Sequence, residues 1–318
     1  MTPMQQASGA RPSWFTRFWA IVRYEMLWNI RKKKFIGVIV IAFLLATLGL
    51  VLPSILSSST GTKITANPDF AITFGASSFG FFLFALATAV NSISSEFESG
   101  TIVPLLTKPV SRTMVFLGKL FAAFVIILIS YAILFTYTTV GSIFVYGPQS
   151  NLQFVPLVLL GNLVSTFIWV SLLLAIGSLT KNTILTVLVA VGLFLALFIA
   201  IPIVSVFEGP SPSLNYLPGS GASGTMLANN ANMSISTGTD NIGVNIVNYV
   251  LYPSGSVTFS KINLSAIQAN ETTLPTTEVL YTEPISLVAF RALGVAFLYI
   301  FVFLLISWIA LKRSQILE

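Results

Sequence analysis

Six stretches of this chain stay apolar for about the length that a helix needs to cross a bilayer, roughly 20 residues. They lie at roughly 35–56, 70–93, 115–145, 154–178, 183–207 and 285–311. Charged residues make up 8% of the 318 residues, against about 25% in a soluble domain. A chain so poor in charge has too little polar surface to face water all round. The expected fold class is an all-α integral membrane protein. It has six transmembrane helices, an N-terminal interfacial amphipathic helix and an extracellular insert between helices five and six.

Residues 14–31 carry the interfacial pattern. Wound at 100° per residue, Trp14, Phe15, Phe18, Trp19, Ile21, Val22, Met26 and Ile30 share one side, while Thr16, Arg17, Arg23 and Arg31 share the other. Glu25 interrupts the apolar arc. It either snorkels to water or meets a partner or the 94–119 segment. Arg31-Lys32-Lys33-Lys34 then stops at the membrane. The third run is longer than a bilayer requires, so it tilts or protrudes. Ser111 suits its N-cap. Gly147–Asn151 and Leu179–Asn182 read as turns, and Pro53 and Pro202 fall near the ends of the first and fifth runs.

Charge sets the orientation. With six spans, one side collects 13 Lys and Arg residues, among them Arg31–Lys34, Lys108, Arg112, Lys119, Lys181, Lys312 and Arg313, and the other holds Lys63 and Lys261. The positive-inside rule puts both termini in the cytoplasm of a plasma-membrane protein. The same distribution accounts for the net charge of +6 without nucleic acid. Residues 1–13 are polar and the first long apolar run begins at Phe35, so no cleavable signal is expected. The units are then 1–34, a cytosolic N-terminus with the amphipathic helix; 35–207, spans one to five; 208–284, an extracellular region; and 285–318, the sixth span and cytosolic C-terminus.

The 208–284 region holds three glycosylation sequons, at Asn232, Asn263 and Asn270. All three lie on the side that the charge count makes external. Within the region, 244–252 and 256–260 read as β-prone or as short apolar segments dipping into the bilayer edge.

Several chemistries are excluded. Without cysteine or histidine there is no disulfide, no His-based catalysis and no zinc site, and no metal site is expected. The chain has no phosphate-binding Gly-x-x-x-x-Gly-Lys-Ser/Thr loop; Gly177-Ser-Leu-Thr-Lys181 lacks the second glycine. No acidic residue falls mid-span, which disfavours an ion-coupled transporter. Arg291 is the one charge inside an expected span. It snorkels outward, or pairs with Glu283, or binds a lipid headgroup or anion. Small and hydroxyl residues at Gly75–Gly80, Ser130-Tyr131, Thr136–Thr139 and Ser165-Thr166 suit close helix packing better than substrate lining.

The longest polar interruption in the first two-thirds of the apolar region, 94–119, contains Glu96, Glu98, Lys108, Arg112 and Lys119, with the breakers Gly100, Pro104 and Pro109 and the Leu105-Leu106 pair. It reads as one or two short helices between spans. In order and spacing, Glu98, Gly100, Thr101, Leu105, Leu106, Pro109, Val110, Ser111, Arg112, Gly118 and Lys119 resemble the permease family of type-2 ABC transporters. That resemblance implies a permease dimer, homo- or heteromeric, with two copies of a cytosolic ABC ATPase subunit that carry ATP and Mg. This chain would hold no ATPase site. Residues 94–112 would then form the coupling segment, with Glu96, Glu98, Gly100, Thr101, Leu105, Leu106, Pro109 and Arg112 as its ATPase-coupling residues. The implied function is an exporter permease in contact with membrane lipid. The alternative is a non-transport anchor that displays a glycosylated external region.

Overall fold

A computed structural model describes residues 13–31, 33–59, 69–73, 78–89, 94, 98, 111–228, 231–262 and 277–313. The helices are α1 (Trp14–Ile30), α2 (Lys33–Ser59), α3 (Phe70–Thr73), α4 (Ser78–Ala89), α5 (Arg112–Tyr146), α6 (Val155–Thr180), α7 (Thr183–Phe207), α8 (Ile242–Leu251) and α9 (Ile285–Arg313). Among them α2, α5, α6, α7 and α9 are long and apolar enough to cross a membrane. The protein is therefore a mostly helical, multi-pass membrane protein. The second expected span, 70–93, is described only as α3 and α4, each too short to cross alone; 74–77 and 90–93 lie outside the described residues.

Local chemistry sets the helix ends. Ser111 caps α5, its hydroxyl accepting from the Met114 N–H at 3.1 Å. Asn182 does the same for α7, accepting from Leu185 N–H at 3.0 Å. Lys181 ends α6 with φ 53°, the left-handed geometry of many helix C-termini, and Gly147 ends α5 with φ 84° and ψ −167°, an extended conformation open to glycine. Proline is tolerated inside membrane helices, and α2 continues through Pro53 to Ser59 rather than stopping near it.

Helix α6 is the axis of the bundle. Its most apolar window is 78% buried, against 17% for those of α2, α7 and α9. Trp169, Ile168, Leu173, Val158 and Val170 on α6 are fully enclosed. Tyr131 of α5 bonds Thr166 of α6 through their hydroxyls, and Ser165 donates to the Thr239 carbonyl at 2.7 Å. The hydroxyl residues singled out at 130–131 and 165–166 thus serve packing.

The 208–284 region departs from the all-α expectation. It carries a four-stranded antiparallel sheet in the order β2-β1-β3-β4, from β1 (Ser223–Ala228), β2 (Ala231–Ser236), β3 (Ser256–Ile262) and β4 (Thr277–Pro284). Met226, Val257 and Phe259 point to one face and pack with Leu214, Ile285 and Val288, which seats the sheet on the first turn of α9. The expected strand at 256–260 is β3. The 244–252 stretch is a helix, α8, not a strand. Its β-branched residues suggested a strand, but Asn241, Asn245 and Asn248 recur at helical spacing, and Val244 and Val247 join the main core.

Two glycines let α8 close on α6. A Cβ on Gly161 would fall 2.2 Å from the Gly243 backbone, and one on Gly243 would fall 2.6 Å from the Val158 carbonyl oxygen. Backbone cannot yield as a flexible side chain can. Gly161→Ala is therefore expected to lower unfolding stability in detergent by about 1–3 kcal/mol, the usual cost of overpacking. Gly192→Ala, where a Cβ meets nothing within 4 Å, is the comparison and is expected to hold or raise it.

Candidate functional site

The described parts of 94–119 touch four helices. Arg112 opens α5, and its Nη1 donates to the carbonyls of Leu311 (3.3 Å) and Lys312 (3.0 Å) at the end of α9. A cation placed at these carbonyls complements the negative end of a helix dipole. Beside them, Trp308 Nε1 donates to Thr113 Oγ1 at 3.4 Å, and the Lys312 ammonium lies 5.1 Å from the centre of the Trp308 ring.

At the other end of the stretch, exposed Glu98 accepts from the Thr183 N–H at 3.2 Å. That N–H belongs to the first turn of α7, where orphan donors and the positive dipole end favour a carboxylate. The Thr183 hydroxyl reaches Ser94 at 3.4 Å, and Gly177 of α6 leaves room for Ser94, whose Cβ would lie 3.6 Å from a Cβ placed there. Residues 94 and 98 are thus fixed to the α6–α7 turn.

Lys119 completes the set. Its ammonium contacts Glu25 Oε1 of α1 at 2.6 Å, and both side chains are enclosed, at 4% and 7% exposure. One turn of sequence explains the approach. Gly118 faces Ile21, and a Cβ there would fall 2.7 Å from Ile21 Cγ2, so α1 can lie against α5 only at a glycine. Glu25 meets the 94–119 stretch instead of snorkelling. The buried face of α1 is Val22, Glu25 and Asn29, while Trp14, Phe15, Trp19 and Trp28 stay exposed toward the surroundings.

A second ion pair lies at the sheet end. Arg291 of α9 donates through Nη1 and Nη2 to the two carboxylate oxygens of Glu283 on β4, at 2.8 and 2.7 Å. The fork-on-fork geometry is the strong form of this contact. Arg291 therefore pairs rather than snorkels.

Glu96, Gly100, Thr101, Leu105, Leu106 and Pro109 lie outside the described residues. So do Asn263 and Asn270, whereas Asn232 is exposed on β2, opposite Leu227 of β1. The helix-end partners of Glu98 and Arg112 were missed by sequence reasoning. Their only signal was position: Thr183 follows an Asn cap, and Lys312 ends the last apolar run.

A family model described as "ABC-2 family transporter protein" matches residues 19–315. The chain belongs to that family. ABC-2 permeases are the membrane-spanning subunits of ABC transporters and are not themselves the ATPase, which is a partner subunit. No curated protein gave a significant match to this ABC-2 chain.

Removing one member of a buried ion pair leaves the other as an uncompensated charge. Lys119→Met alone is expected to cost about 3–5 kcal/mol of stability, whereas Glu25→Leu with Lys119→Met recovers most of it. Denaturant unfolding of the single and double variants in micelles measures the difference.

Proposed function

We propose that this ABC-2 permease is the membrane half of an ATP-driven exporter of the plasma membrane. It crosses six times, α3 and α4 with their neighbours making the second crossing, and both termini are cytoplasmic. Two permeases, identical or not, pair with two ATPase subunits that carry ATP and Mg. Residues 94–112 are the coupling segment. Glu96, Glu98, Gly100, Thr101, Leu105, Leu106, Pro109 and Arg112 face or shape its contact with the ATPase.

One observation carries this reading. The margins of that segment are tied to α7 through Glu98, to α9 through Arg112 and, by way of Lys119, to α1. A push on the segment from an ATPase closing around nucleotide is therefore shared among several helices, as a two-state rearrangement requires. Glu98 remains exposed while it holds α7, so its second oxygen is open to a charge-assisted contact. The sheet region stands outside the cell and its sequons, Asn232, Asn263 and Asn270, are acceptors for glycan.

Gentle purification is expected to bring down a phosphate-loop ATPase. Glu98→Ala is expected to lower ATP-driven transport by about tenfold, within the usual range for coupling residues, with little change in unfolding midpoint. An assembly with no ATPase overturns the exporter reading; unimpaired transport in the variant overturns the coupling role. Expressed in a glycosylating host, the protein is expected to shift in mobility on endoglycosidase treatment. The shift is lost in the Asn232→Gln, Asn263→Gln, Asn270→Gln triple variant.

A further inference from the structure

At the sheet end, α6, α7 and the loop before β1 enclose a cavity of about 200 Å³. Trp169 is at its back, almost fully buried, with Phe194 beside it at 5.5 Å between ring centres. Phe198 follows at 5.8 Å from Phe194 and is 57% exposed, so it forms the mouth. Ile201 lines the same α7 side. The lid is Gly219, whose φ of +65° excludes most other residues; a Cβ there would fall 2.8 Å from the Trp169 indole.

Three polar side chains break the apolar wall: Asp240, the Trp169 indole, and Ser220, whose hydroxyl donates to the Leu214 carbonyl. Asp240 lines the cavity, and both its oxygens are 3.0 Å from the Ser236 hydroxyl. Among the described residues no lysine or arginine is paired with it. Loss of solvation pushes its carboxyl above the usual range. The Trp169 Nε1–H is buried and has no hydrogen-bond partner. Asp240 is held by Ser236, while the indole N–H is left without an acceptor.

Size and charge narrow the occupant. A dry cavity of about 150 Å³ holds a benzene molecule, so this one takes a single ring with a short substituent. Ionised Asp240 repels anions and attracts cations, and an ammonium held against it favours that ionised form. Aromatic faces at the back and mouth attract cations as well. We propose that this cavity binds an organic ammonium ion about one aromatic ring in size, with the ammonium against Asp240 and the ring among Trp169, Phe194 and Phe198. The site lies on separate elements from the coupling segment. Its occupancy needs neither nucleotide nor ATPase, so it stands or falls apart from the exporter reading.

Titration calorimetry on the full chain in a nonionic detergent tests it with benzylammonium and with benzyl alcohol, which has the same heavy-atom skeleton without the charge. Benzylammonium is expected to bind about tenfold or more tightly than the alcohol. Asp240→Asn is expected to erase that preference while leaving the alcohol unchanged. Phe198→Leu, at a half-exposed position that the fold tolerates, removes a ring contact and is expected to weaken both compounds severalfold. The proposal is overturned by equal affinities, by no binding of either compound, or by a preference that survives Asp240→Asn. Should that variant fail to fold, an unchanged benzylammonium affinity in Phe198→Leu overturns it alone.

Discussion

A charge withdrawn from water must find a counter-charge, and the contact between Glu25 and Lys119 is where this molecule meets that demand most severely. The pair is enclosed on all sides, so its attraction does little more than offset the lost hydration. Its effect is on position. The α1 helix can slide or roll on an apolar surface at small cost, but only one placement brings Glu25 to Lys119 while Ile21 faces Gly118. The helix that rims the bundle is thereby locked to the start of α5, and α5 is tied in turn to the end of α9 through Arg112. The Glu283–Arg291 pair repeats the device at the other end, where it fastens the sheet to α9.

Helix termini supply the remaining links. Arg112 donates to carbonyls in the last turn of α9, and Glu98 accepts from an amide in the first turn of α7. Both contacts use groups that every helix leaves exposed at its ends. The described residues at the two ends of this polar segment are thus tied to several helices by polar contacts. The same economy is visible at the α6–α8 crossing, where Gly161 and Gly243 replace side-chain packing by backbone contact.

Much of the membrane part was legible because hydrophobic length is a local property. The spans at 183–207 and 285–311 match α7 and α9 within a few residues, and the Ser111 cap was read from its position alone. Charges inside apolar sequence were legible as anomalies but not as pairs. Glu25 and Lys119 are 94 residues apart, and no periodicity joins them. Glu283 and Arg291 are only eight apart, which is why pairing was among the options there. At 242–251 the valines and isoleucines left a strand and a short apolar segment both open, and packing against α6 selects a helix. The cavity beside Asp240 had no signal at all, because its walls come from four separated stretches.

The length of α5 has a mechanical consequence. Its 35 residues make a rod about 52 Å long, where the hydrocarbon layer needs only about 30 Å. The surplus makes α5 a lever. Its first eight residues are gripped at Arg112 and Lys119, and its last turn is braced against α2 where the Tyr146 hydroxyl donates to the Leu50 carbonyl at 3.0 Å. A tilt of a few degrees about the bilayer midplane swings the two tips in opposite directions, so a small stroke delivered on one face reappears, reversed, on the other.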